Sequence, residues 1–273
     1  MIEIKNISFS YYEKEIFKNF SLKFEKGKFY ILLGKNGSGK STLVKLLLGI
    51  EKIKSGEILV EGKSLVENLY EVRKNIGMVF QNPDEQIISE RIDEELAFSM
   101  ENYGYSSREM RKKIDTTLKE INLWEKRDLR VSQLSGGEKQ RLSIGSALVL
   151  EPKVLILDEG TAMLDEKNRE NILNLLKKLR EKGVTIILIS HHLNELKYAD
   201  EVVYLEKGQL IWQGESEKFI REIVTGKLGN TLELPPNFYI AKEIYRKKGI
   251  DITKNLFNDE EVAEYLWQLS LKI

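Results

Sequence analysis

The chain has no cysteine among its 273 residues, which excludes disulfide staples and thiolate chemistry and fits a reducing interior. Histidine is nearly as scarce, with two present side by side, His191 and His192. Adjacent side chains diverge and no third His or Cys exists to complete a zinc site, so the pair is not read as a metal centre. An excess of either charge is also missing, since 43 Lys and Arg face 43 Asp and Glu. A protein living on nucleic-acid phosphates usually carries a basic surplus, so nucleic acid is not an expected partner. Long apolar runs are absent. FYILL, VLIL and TIILI fall far short of the ~20 residues that cross a bilayer. Acidic and lysine residues interrupt the opening MIEIKNISFSYYEKEIF, so no signal peptide is expected there. There is no internal repeat and no low-complexity linker, and the length suits one large domain with an appendage, or two modest domains.

What is present has a clear order. IEIKNISFSY and FKNFSLKF alternate apolar and polar residues, as half-buried antiparallel strands do. Phe29 to Leu33, Val154 to Leu157 and Thr185 to Ile189 do not alternate. Continuous runs of that length suit parallel strands covered on both faces. Helical periodicity follows each, in KSTLVKLLLGI, NRENILNLLKKLREKG and LNELKYAD, with Gly183 where a helix C-cap belongs. A mostly helical block occupies 82–150, its clearest amphipathic helix predicted over Ser106 to Leu123. Beyond Gly214 three short helices are expected, in SEKFIREIVTG, NFYIAKEIYRKKG and DEEVAEYLWQLSL. LPPN introduces the second and Asn258 is a candidate cap for the third. A tail of this size rarely stands alone, so it is expected to pack on its neighbour or on a partner.

GKNGSGKST (Gly34 to Thr42) fits G-x-x-x-x-G-K-[ST], between a buried strand and a helix. Gly34, Gly37 and Gly39 let backbone N–H groups around Asn36 and Ser38 turn inward upon a polyphosphate. Lys40 supplies the charge, the Ser41 hydroxyl can join a Mg²⁺ shell, and the helix start at Ser41 and Thr42 adds its positive dipole end. VLILDE places Asp158 and Glu159 at the carboxyl edge of the second buried strand, where ligands of α/β sheets bind. Asp158 is placed to hold Mg²⁺ through water, and Glu159 to act as general base or to orient an attacking water. Together they describe an ATP- or GTP-hydrolysing fold.

LSGGEKQR (Leu134 to Arg141) opens with Ser135-x-x-Glu138, a capping box. Gly136 and Gly137 in its first turn each cost ~1 kcal/mol of helix propensity relative to alanine. They bare the helix mouth and its N–H groups, making a second anion site. One chain with two anion cradles implies a second molecule's nucleotide.

Phosphate loop, LSGGEKQR, VLILDE, the MLD that ends at Asp165 and a histidine after the next strand together resemble the nucleotide-binding domain of ABC (ATP-binding cassette) ATPases, from the N-terminus to about Gly214. The resemblance implies an α/β P-loop NTPase of ABC type. Its expected parts are a RecA-like parallel-sheet core, an N-terminal antiparallel β subdomain, a helical subdomain and a small helical C-terminal extension. The corresponding limits are 1–215 for the nucleotide-binding domain, about 82–150 for its helical part, and 216–273 for the extension. It also implies two such domains paired head to tail, with ATP between one phosphate loop and the partner's Ser135, Gly136 and Gly137. Tyr11 resembles the aromatic that stacks on adenine, with Tyr12 as the fallback and a half-exposed strand tyrosine as the plain alternative. Gln81 resembles the glutamine that touches Mg²⁺ and water, Asp165 the aspartate that crosses the dimer interface, and His191 the switch histidine on the γ-phosphate. His192 reads as a solvated helix-entry residue. Gly160 stands where the family usually has proline and is expected to add backbone freedom.

No coiled-coil insertion separates phosphate loop from signature, and one cassette without a membrane span is typical of a transporter subunit. VFQNPDEQI and LPPNFYIAKEIYRKKGIDI are similar to ATPases of energy-coupling factor (ECF) importers of vitamins, cobalt or nickel. That implies a peripheral protein on the cytoplasmic face of the cell membrane. Its partners would be a second ATPase, identical or paralogous, a transmembrane T component and a substrate-binding S component. Asp84 and Glu85 are candidate acceptors for T-component arginines, or simply a solvated acidic loop. The competing readings are a soluble ABC ATPase acting on nucleic acid or ribosomes, and a P-loop kinase, which has no use for LSGGE.

Overall fold

The computed structural model describes residues 1–228, 232–258, 260, 262, 263 and 267. The chain opens with β1 (Ile2–Tyr11), β2 (Lys14–Phe24) and β3 (Phe29–Leu33), then α1 (Lys40–Leu47), β4 (Ser55–Val60) and β5 (Lys63–Ser64). Next come α2 (Leu69–Asn75), β6 (Ile76–Val79), α3 (Pro83–Gln86), α4 (Ile92–Asn102), α5 (Ser107–Glu120) and α6 (Gly136–Leu148). The chain continues through β7 (Val154–Asp158), α7 (Glu166–Glu181), β8 (Thr185–Ile189), β9 (Glu201–Glu206), β10 (Gln209–Glu215), α8 (Ser216–Val224) and α9 (Pro236–Lys248).

Two sheets organise these elements. β2-β1-β4-β5 is antiparallel, and the other runs β10-β9-β3-β8-β7-β6. The latter is parallel from β9 to β6, with β10 antiparallel at its edge. The three unalternating apolar runs form its centre, and their side chains serve two cores in turn. Phe29, Ile31, Leu155, Leu157, Ile186 and Leu188 face the core shared with α6 and α7. Tyr30, Leu32, Val154, Ile156, Ile187 and Ile189 face the core shared with α1 and the antiparallel sheet. A run apolar at every position therefore buries both faces, each full side chain contributing about 1.5–3 kcal/mol.

Several boundaries differ from expectation for local reasons. Ser106 caps α5 rather than beginning it, in a reciprocal capping box with Glu109, and the helix stops at Glu120 before Asn122 turns left-handed at φ 55. LNELKYAD forms a 3₁₀ stretch at Leu193–Tyr198, not an α-helix. Leu193 and Leu196, three apart, both bury there, the spacing that eclipses in a 3₁₀ turn.

The described part of the tail packs on its own neighbour. Phe219 and Ile223 of α8, Phe238 and Ile244 of α9, and Ile252 and Leu256 beyond join the same core as β7 and β8. Pro236 sits in the first turn of α9, where its missing N–H costs nothing, and Gly249 closes the helix at φ 70. The third tail helix, expected in DEEVAEYLWQLSL, falls largely outside the described residues.

Candidate active site

The loop after β3 is shaped by close contacts. A Cβ on Gly34 would lie 2.4 Å from Ser38 Oγ and 2.5 Å from the Leu205 carbonyl, so no other residue fits. At Gly37, φ is 79 and a Cβ would meet nothing, so the turn is open outward with Asn36 exposed beside it. Ser38 Oγ is buried with no hydrogen-bond partner. Lys40 is buried too, its Nζ donating to the carbonyls of Gly34 (2.5 Å) and Lys35 (3.3 Å). Burial pushes the ammonium pKa down, against the pull of Glu159 and Asp158. α1 begins at Lys40, and its first N–H groups have no intrahelical acceptor. An unpaired hydroxyl, a desolvated cation and a helix mouth fit a polyphosphate. Ser41 is exposed at this mouth and Thr42 half-buried behind it.

Three strand ends converge opposite. Gln81 follows β6, Glu159 follows β7 and His191 follows β8. Gln81 Nε2 donates to Glu159 Oε2 (3.0 Å), while His191 Nε2 lies 2.9 Å from Oε1. One carboxylate is thus gripped at both oxygens. Glu159 takes φ 52, a left-handed conformation costing a non-glycine residue about 1–2 kcal/mol. Its N–H reaches the Ile189 carbonyl (3.1 Å), tying the strained residue to β8. Beside it, burial first and the Glu159 charge second raise the Asp158 pKa, against Lys40 and His191. His192 is exposed, and its contribution is a backbone N–H to Ser190 Oγ (2.9 Å).

Gly160 corrects an expectation. It is not among the residues with positive φ, so backbone freedom is not its role. A Cβ there would come within 3.1 Å of both Gln140 Nε2 and Leu157 Cδ2. The glycine lets the buried Gln140 of α6 pack against the turn, and the unusual backbone belongs to Glu159 instead.

At the start of α6 the capping box of LSGGE is formed. Ser135 Oγ accepts from Glu138 N (3.4 Å), and Glu138 Oε2 from Ser135 N (3.0 Å). Lys126 Nζ on Glu138 (2.6 Å) holds that carboxyl below its usual range. The two glycines differ. A Cβ on Gly137 would strike Asn168 Oδ1 at 2.5 Å, so α7 demands it; at Gly136 it would meet open space. Asn168 also holds Asp165, the N-cap of α7, through its N–H and Nδ2 (2.8 Å each), which lowers the Asp165 pKa. Among the described residues no hydrogen bond joins this mouth to the Gly34–Thr42 loop.

Tyr11 ends β1 half-buried, edge-on to Phe9 at 4.8 Å, whereas Tyr12 is 99% exposed. Asp84 is not a free acid, because Lys139 Nζ of the signature segment lies 2.6 Å from its Oδ1. Glu85 accepts from Asn82 Nδ2 (3.0 Å). Gln86 reads in the sequence only as an extension of the glutamine loop, with Asp84 and Glu85. Its side chain accepts from Phe80 N (2.9 Å) and donates to the Ser143 carbonyl (3.3 Å), joining the glutamine loop to α6. Nothing in the sequence signals that link, since Gln86 and Ser143 lie far apart in the chain.

Residues 17–162 match the ABC transporter family. The chain is 39% identical over 277 residues to the energy-coupling factor transporter ATP-binding protein EcfA1 of Ligilactobacillus salivarius, covering 100% of this chain and 97% of that protein. It is 37% identical to the protein of the same name from Caldanaerobacter subterraneus subsp. tengcongensis, covering 97% and 98%. Among solved structures, cbiO1 from Clostridium perfringens, described as part of the ABC transporter complex cbiONQ, superposes with a TM-score of 0.77 at 30% identity, covering 91% and 95%. A dimeric ATP-binding cassette in a post-hydrolysis state with ADP and Pi superposes at 0.68, also 30% identical, covering 79% and 99%.

Proposed function

The chain belongs to the ABC transporter family of ATP-binding proteins, and from that premise we propose how its residues divide the work of the motor. It is an ATPase coupled to transport, the motor subunit of an importer. Gly34, Asn36, Gly37, Ser38, Gly39 and Thr42 wrap the phosphates, with Lys40 as the cation and Tyr11 stacked on adenine. Ser41, Asp158 and Gln81 are the residues to hold Mg²⁺, which when bound neutralises phosphate charge. Glu159 takes the proton of the attacking water or orients it. Gln81 and His191 hold its two oxygens, so the carboxylate is aimed in advance. The same His191 Nε2–H can turn from Glu159 to charge developing in the transition state. The observation that carries this reading is that grip on Glu159 at the sheet edge that also bears Lys40.

The open face at Gly136 supports a dimer in which ATP lies between one phosphate loop and Ser135, Gly136 and Gly137 of a second copy or a paralogue, with Asp165 across the interface. Gly136→Ala adds its methyl to open space, so the melting temperature should hold within a few degrees. Turnover should fall about tenfold or more, because the methyl meets the partner's nucleotide. Unchanged steady-state turnover would take Gly136 out of the site.

Residues 1–215 then form the cassette, with its helical part at about 82–150, and 216–273 the extension. No helix among the described residues is long and apolar enough to cross a membrane. In this reading the chain is a peripheral subunit on the cytoplasmic face. A transmembrane T component docks beside the glutamine loop, and an S component brings the solute. With Asp84 paired to Lys139 and Glu85 held by the neutral Asn82 amide, Glu85 is the acid assigned to receive a T-component arginine. Affinity purification from native membranes should bring down a small polytopic membrane protein. Recovery of ribosomes alone, or salt-sensitive DNA binding, would replace the importer by the soluble alternative.

A further inference from the structure

Glu195 is a buried carboxylate, 2% exposed, that the hydrolytic site does not use. A charge taken out of water needs partners, and this one has two. Its Oε1 accepts from the equally buried Thr161 Oγ1 at 2.8 Å and lies 3.8 Å from Arg169 Nε; its Oε2 has no partner. Arg169 also donates to the carbonyls of Thr161 (3.5 Å) and Leu164 (3.2 Å), the two ends of the turn between Glu159 and Asp165. The three residues come from three segments. Thr161 stands two after Glu159, Glu195 four after His191, and Arg169 four after Asp165.

Position gives this knot its meaning. Glu159 sits in a left-handed conformation that something must hold. Its N–H is tied to Ile189 and its carbonyl accepts from Ala162 N (3.0 Å). Thr161 lies between those ties, and its hydroxyl is fastened to the segment that also carries His191. A side chain that only filled space here would be apolar. We propose that Glu195, with Thr161 and Arg169, is a positioning group that fixes the spacing of Glu159 and His191. It acts through the Thr161 hydroxyl and touches no substrate atom. The proposal rests on Glu159 and His191 forming the hydrolytic site.

The purified full chain tests it through ATPase kinetics. Thr161→Val removes the hydroxyl at nearly constant shape and should lower kcat about tenfold or more, since small misplacements of reacting groups are costly. KM for ATP should stay within about twofold, because the phosphate loop is untouched. Thr161→Ser, which keeps the hydroxyl, should restore most of the lost turnover. Thr161→Val combined with Glu195→Ala should be no slower than the worse single variant, since one bond can be lost only once. Multiplying losses, a Thr161→Ser as slow as Thr161→Val, or a loss confined to KM would each overturn the inference. If Glu195→Ala fails to fold, the Val and Ser pair decides alone. Glu159→Gln run in parallel separates the failures. If it keeps turnover, the reading of the site falls; if it loses turnover while Thr161→Val keeps it, this inference alone falls.

Discussion

Glu159→Gln should cut ATP turnover by roughly a hundred- to ten-thousandfold, the range by which a positioned general base accelerates proton transfer. The amide is the same size; its oxygen can still accept from His191, and its NH2 can donate to Gln81 once that side chain turns its own oxygen inward, so the turn at φ 52 is kept. What goes is the charge that attracts the proton of an attacking water. ATP binding should survive, because Lys40, Ser38 and the mouth of α1 are unaltered. Removing the Glu159 charge also removes one of the two causes that raise the Asp158 pKa, leaving that carboxylate more readily ionised. The expected product is a chain that binds ATP and stays closed as a dimer. Steady-state phosphate release and size-exclusion chromatography with ATP measure both. Near-normal turnover would strip Glu159 of its role.

His191→Ala should lower turnover by about a hundred- to a thousandfold, the cost of losing one donor preorganised for transition-state charge. It also frees Glu159 Oε1, which His191 Nε2 holds at 2.9 Å. His192→Ala should change turnover less than twofold, as that side chain is exposed and makes no capping bond at the 3₁₀ stretch it precedes. The comparison is internally controlled, because the two residues share sequence neighbourhood and secondary structure. Equal losses in the two variants would mean the wrong histidine had been chosen.

The elements most legible in sequence were those whose signal is local. FYILL, VLIL and TIILI lie where parallel strands were expected, because a strand covered on both faces admits no polar position. The Ser135 capping box was readable because its partner is three residues away. The left-handed Glu159 was not, since glutamate has no preference for that conformation and Gly160 alongside drew the inference instead. The two glycines of LSGG look alike in sequence, yet Asn168 demands one and open space surrounds the other.

By itself, then, the order of residues determined the chemistry on offer. It specified a phosphate loop between strand and helix, two acids at a strand end, a bared helix mouth and a histidine after the next strand, since each depends on residues within one turn of one another. Tertiary structure alone decided which groups meet. It brought Gln81 and His191 onto the two oxygens of Glu159, engaged Asp84 with Lys139, buried Glu195 against Thr161, and drew the tail into the main core. Those contacts join distant segments. They depend on how the sheet stacks its strands, because a side chain's partner across a parallel sheet is set by strand order and register, which no local pattern encodes.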